Sequence, residues 1–204
     1  FAIESVNYGG LKGAQSEFMV AFVDKASVAT HQVLFIISCT YWSAFSGWGT
    51  ASSIRIGHAI GANKLHEANK KTYRLGAYFI LICIVIALAT SITSDSILSI
   101  FAADDKIIQP AQNIWFMLSI FIFLDLLQSF VVTILQTYGE AKRPFLVHLI
   151  VLTFFGSLAV FILVSNGFGL SSIWGTLCIC MSIILIQNSI DLKRVSNSLL
   201  PKKT

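Results

Sequence analysis

Charge is scarce in this sequence: Asp, Glu, Lys and Arg make up 12% of the 204 residues, against 55% hydrophobic. Soluble domains usually carry about 25% charged residues. With so little polar surface the chain cannot close over its apolar residues in water, whereas a lipid-exposed fold has no need to. Proline is nearly missing too. Three Pro and 13 Gly exclude a disordered or collagen-like chain. No G-x-x-x-x-G-K phosphate loop occurs, and no H-E-x-x-H, G-x-S-x-G or clustered Cys/His pattern. Neither a nucleic-acid partner nor a cofactor is therefore expected. The cysteines Cys39, Cys83, Cys178 and Cys180 all sit in apolar runs. Cys178 and Cys180, two apart on a predicted helix, point in different directions, so packed or lipid-facing thiols fit better than a metal site or a disulfide. The chain opens on Phe1 and shows no signal-peptide pattern. The simplest expectation is part of a longer protein, in which any site shared with the rest is only half visible.

What the sequence does have is long uncharged runs. A helix needs about 20 mostly apolar residues to cross the hydrocarbon core. Spans are predicted over 28–54, 75–94, 107–138, 145–165 and 170–190, the third of these holding one charge, Asp125. A sixth, over 1–23, carries Glu4, Lys12 and Glu17 and would line a polar interior. The predicted fold class is all-α integral membrane: a six-transmembrane-helix bundle over 1–192, then a basic tail over 193–204. Ten basic residues (Lys64, Lys70, Lys71, Arg74, Lys142, Arg143, Lys193, Arg194, Lys202, Lys203) fall on one side of such a bundle, and Lys25 and Lys106 on the other. Basic residues mark the cytoplasmic side, so both ends of the chain are expected in the cytoplasm. Gly61 to Arg74 reads as a short solvated helix between spans, and Ser165 to Ser171 as a tight turn. The G-x-x-x-G from Gly57 to Gly61 reads as a close-packing surface.

An ionisable group inside a span points to function, because an unneutralised charge there is costly. Asp125 is the clearest case. It sits deep in an apolar run, and Gln128, Val132 and Gln136 follow at helical steps of three and four. This polar stripe should face the bundle interior or a watery cavity. A carboxylate there can hold a proton, a Na⁺ or an organic cation, one at a time, and such exclusion is enough to couple two fluxes. An interhelical hydrogen bond is the structural alternative. Glu4 is a second-rank candidate. Tyr41, Trp42 and Trp115 could stack on flat cations, although plain packing fits them better. His31 and His148 read as residues of the interface near span ends.

Three stretches then show a resemblance: Ala29-Thr30-His31-Gln32, the run Ala51-Ser52-Ser53-Ile54-Arg55-Ile56-Gly57-His58-Ala59-Ile60-Gly61-Ala62, and Asp125-Leu126-Leu127-Gln128 with Gly139 and Pro144. In order and spacing they resemble motifs of the second half of multidrug and toxic compound extrusion (MATE) transporters. Thr133, Gln136 and Thr137 depart from that pattern, standing where the motif has Gly, Arg and Gly. The resemblance implies twelve helices in two six-helix lobes about a central cavity, with this chain as the second lobe and the other lobe as its partner. It implies export of organic cations and other xenobiotics in exchange for H⁺ or Na⁺, with Asp125, Glu4, Gln128 and Gln136 as the cation- and substrate-binding candidates. The chain would then meet membrane lipids, in the plasma membrane or an internal one. A lipid-linked oligosaccharide flippase is the nearest alternative. A membrane-embedded enzyme would need two catalytic groups converging at one depth. A structural membrane subunit or a non-functional fragment is the remaining one.

Overall fold

The computed structural model describes residues 25–101 and 105–198. Six helices hold nearly all of them: α1 (Lys25–Gly61), α2 (Leu65–Ile92), the short α3 (Ser94–Phe101), α4 (Asp105–Thr137), α5 (Lys142–Ser165) and α6 (Leu170–Ser198). No strand occurs among the described residues. Uncharged runs leave no water to compete for backbone groups, so helices, which satisfy their N–H and C=O groups internally, are the form such runs take in lipid.

Four of the helices, α2, α4, α5 and α6, are long and apolar enough to cross a membrane. The predicted span over 1–23 lies outside the described residues. The predicted span over 28–54 falls inside α1, whose 37 residues are ample in length. Its uncharged stretch is diluted by Ser, Thr, Gly and Gln, and it does not rank with the four in apolarity.

Burial separates inner from outer helices. In their most apolar windows 56% of α4 and 44% of α6 are buried, against 17% of α2 and 22% of α5. Helix α4 is the hub and packs on α1, α2, α3 and α6. Its buried Ile114, Leu118, Phe121, Ile122, Leu126 and Ile134 build the core. The outer face of α2 shows Leu81, Val85, Leu88 and Ile92 to the surroundings. In lipid that costs nothing, whereas in water it would be an aggregation surface.

Helices α1 and α4 approach closely because small residues meet. A methyl group added at Gly49 would lie 3.5 Å from Thr133 Oγ1, and one at Gly57 would lie 3.6 Å from Thr137 Cγ2. The two threonines that depart from the family motif thus face glycines on α1. Each hydroxyl donates to a carbonyl one turn back, Ser129 O and Thr133 O, at 2.8 Å, so neither demands a partner across the interface. Of the expected G-x-x-x-G pair, Gly57 lies against α4 while Gly61 meets nothing.

Two local expectations change. The Gly61 to Arg74 segment is not a separate solvated helix. A turn over 62–64 joins α1 to α2, and Leu65 to Arg74 are the first turns of α2 itself. Asn63 takes φ 58°, a left-handed conformation that Asn tolerates, and Lys64 N–H donates back to Ala59 O at 2.9 Å. The connection after α2 holds the short helix α3, which buries Leu98 completely, and Gln112 Nε2 of α4 donates to its Asp95 at 2.8 Å. Helix α6 continues through Asp191 to Ser198, past the expected start of the tail. The turn between α5 and α6 is where the sequence places it, with Gly167 at φ +82°.

Candidate functional site

Asp125 lies in the middle of α4 and is 8% exposed. Its helix face carries Gln128, 2% exposed, and Val132, 7% exposed. Residues three and four onward from Asp125 diverge by about 100° around the axis, so Asp125 sits between two lines. On one side Ser129 accepts a hydrogen bond from Trp42 Nε1 of α1 at 3.1 Å. On the other, Gln128 turns toward α5 and α6.

That second side holds a polar cluster between three helices. Asn188 Nδ2 of α6 donates to Gln128 Oε1 at 3.2 Å. Gln128 Nε2 lies 3.3 Å from His148 Nδ1 of α5. Asn188 is fully buried and His148 is 8% exposed, so the interfacial reading of His148 gives way to a place inside the helix packing. Directly after His148, α5 widens into a π-helical stretch over Leu149–Gly156, a feature often found at functional sites. Its loosened Val151 O accepts from Cys180 Sγ of α6 at 3.7 Å, and Gly156 lets Cys180 come close.

The sequence-predicted residues do not all meet. Gln136 is half-buried in the last turn of α4, about 16 Å along the axis from Asp125 by helical rise, so the structure does not bring the two together. Glu4 lies outside the described residues. Trp115 is closed to any ligand: it is 4% exposed and its Nε1 donates to Thr90 O at 2.7 Å. His31 is buried against Phe35 and Trp174, at ring separations of 6.1 and 5.5 Å, not placed at an exposed span end. Trp42 remains exposed.

Two features were not anticipated. Helix α1 exposes Gln32, Ile36, Thr40, Ser43, Gly47, Thr50, Ile54 and His58 along one face. Apart from Ile36 and Ile54 this stripe is small or polar, in contrast with the apolar outer face of α2. The sequence carried the signal in its Ser, Thr and Gly content, which an uncharged run disguised.

The second is Asp191 of α6, whose side chain is only 5% exposed and lies 3.6 Å from Arg143 and 3.4 Å from Arg194. Around the same end, Ser196 Oγ bonds to Asn69 Oδ1, and Thr72 Oγ1 meets Tyr138 OH at 2.9 Å. The arginine side chains are 60% and 66% exposed, so R143A and R194A should each cost at most about 1 kcal/mol. The double variant leaves a buried carboxylate with neither arginine and only the Gln187 Nε2 donor at 3.4 Å, and should cost about 2–4 kcal/mol, more than the sum. Thermal unfolding of the purified protein in detergent measures this, and simple additivity would show that Asp191 does not depend on the pair.

Among the described residues no group of His, Cys, Asp and Glu is placed to hold a metal ion. The geometry instead offers a buried carboxylate at Asp125 and, one turn further along α4, the hydrogen-bonded cluster of Gln128, His148 and Asn188. The structure superposes on a eukaryotic MATE transporter, AtDTX14, with a TM-score of 0.82 at 14% identity, over 91% of this chain and 44% of that one. It superposes on an inward-facing multidrug resistance MATE family transporter of the MOP superfamily with a TM-score of 0.80 at 17% identity, over 89% and 41%. The chain thus spans less than half the length of either. No curated protein matches it. The MatE family model matches residues 13–162, well over half of the sequence, and the chain belongs to the MATE family of membrane transporters.

Proposed function

We propose that the chain is the second lobe of a secondary active antiporter. It exports organic cations or other xenobiotics in exchange for H⁺ or Na⁺ by alternating access against a first lobe. Asp125 is the coupling-cation site, Gln128 supports it, and Glu4 contributes from the stretch before α1. One observation carries the reading: the Asp125 carboxylate is buried at mid-helix in a membrane-spanning element. Such groups are kept where they bind or relay ions. The exposed stripe of α1, small or polar except for Ile36 and Ile54, suits a wall of the central cavity. Gln136, at the far end of α4, lines at most the mouth of that cavity. With ten basic residues in alternate connections against two, both ends of the chain face the cytoplasm.

The test is transport by the full-length protein in liposomes loaded with a cationic dye such as ethidium. Imposing an inward H⁺ or Na⁺ gradient should accelerate dye export, and an ionophore that collapses the effective gradient should stop it. Dye movement indifferent to both gradients would sink the antiport reading.

A further inference from the structure

The cluster on the α5–α6 side of α4 has an unfinished hydrogen-bond ledger. Asn188 Nδ2 donates to Gln128 Oε1 at 3.2 Å. Gln128 therefore presents its Nε2 amide hydrogens to His148 Nδ1 at 3.3 Å, so Nδ1 is the acceptor and the neutral ring carries its hydrogen on Nε2. All donation runs one way, from α6 through α4 to α5. At the starting end Asn188 Oδ1 is buried and accepts nothing, although a buried polar atom normally has a partner.

A proton on His148 Nδ1 changes every link. Nδ1–H must donate, and it would oppose the Gln128 amide hydrogens. Rotating the Gln128 amide by half a turn presents Oε1 to the imidazolium and turns Nε2 toward Asn188. Asn188 then rotates in the same way, and its idle Oδ1 accepts from Gln128. We propose that His148 is a proton-binding site in its own right, and that Gln128 and Asn188 form a two-amide link transmitting its protonation state from α5 across α4 to α6. Only a proton is gained, at Nδ1, and no heavy-atom bond is made or broken. The start of the π-helical stretch at Leu149 places the ring where α5 is least constrained by regular helix geometry.

Among the described residues, the charged groups on the elements packed around His148 are few. Helix α4 offers Asp125, one turn before Gln128. Helix α6 offers Asp191, one turn beyond Asn188, followed by Lys193 and Arg194, and α5 offers Lys142 and Arg143 in its first turn. Asp191 is engaged by Arg143 and Arg194. The thiol of Cys180 is engaged by Val151 O. The link therefore lies between two buried carboxylates, one turn from each along its own helix. It does not depend on which compound the transporter carries.

The experiment follows the imidazole of His148 by ¹⁵N NMR in the full-length protein labelled at histidine, reconstituted in lipid, with H148Q assigning the signal. Lowering the pH from 9 to 5 should bring both ring nitrogens to the protonated position, which separates the imidazolium from a neutral ring that has only moved its hydrogen from Nε2 to Nδ1. In N188D the carboxylate at that position can only accept, which holds the chain in its reversed polarity. The change should then occur at a pH at least one unit higher. In the double variant Q128L/N188D the link is cut and the wild-type behaviour should return. A His148 signal that stays neutral down to pH 5 in both wild type and N188D overturns the proton site. A full shift that survives Q128L shows a through-space effect of charge and overturns the link. Both readouts are independent of transport, so they stand or fall apart from the antiport reading.

Discussion

D125N in the full-length protein is expected to insert and fold as wild type does and to lose gradient-driven dye export by at least about 100-fold, equivalent to about 2.7 kcal/mol on the transport barrier. The argument separates shape from charge. Asn keeps the size of Asp and much of its hydrogen-bonding capacity, so a merely structural role for Asp125, one hydrogen bond between helices, would survive the change at a cost near 1 kcal/mol. Asn cannot alternate between a proton or Na⁺ and an organic cation, so a coupling role would not survive. The surroundings make the contrast sharp, because Asp125 is 8% exposed, with Phe121, Ile122 and Leu126 buried around it. D125E should retain partial activity, since the charge persists on a longer stem. The measurement is initial dye flux per reconstituted protein, with circular dichroism and gel-filtration profile as the folding controls. Wild-type flux from a well-folded D125N would remove Asp125 from the mechanism and leave the family assignment untouched.

Much of the helical layout could be read in advance because membrane burial writes long uncharged runs directly into composition. Helices α2, α4, α5 and α6 follow from that rule, and the turn at Gly167 follows from the need for a left-handed residue. Asp125 and Gln128 stood out because polar residues are rare in such runs, and helical spacing put them on one face. What stayed hidden depended on partners distant in sequence. Asn188 lies near the end of the predicted span and Asp191 just past it, and neither shows a partner in the sequence until Gln128 and Arg143 meet them. His148 looks interfacial by its position near Pro144, and only the packing of α4 and α6 buries it. Gln136 shows the opposite error: helical spacing keeps it on the face of Asp125 but says nothing about depth, and eleven residues carry it to the far end. The π-helical stretch was invisible because Leu-Ile-Val-Leu-Thr-Phe-Phe-Gly has a single polar residue, Thr153, too few to reveal a change of period.

The largest loss of stability from a single side chain should come from Trp174. It is 0% exposed and joins three helices, its ring 5.5 Å from His31 on α1 and 5.3 Å from Phe121 on α4, the latter edge-on at 86°. In lipid the helices gain little from the hydrophobic effect between themselves, so association rests on contact and fit. Truncation to Ala in W174A removes those contacts and leaves a cavity that the surrounding helices fill only in part. The expected cost is about 2–4 kcal/mol, below the soluble-protein range for Trp because the transfer component is weaker in lipid. The chemistry of the indole supplies a control. Trp174 Nε1 is buried without a hydrogen-bond partner, so W174F discards an unsatisfied donor while keeping an aromatic ring, and it should cost about 1 kcal/mol or less. Thermal unfolding in detergent, read by loss of near-ultraviolet circular dichroism, ranks the two variants. Equal damage from W174F and W174A would mean that the indole N–H holds something this packing does not reveal, such as an internal water shared with the equally unpartnered ring nitrogens of His31.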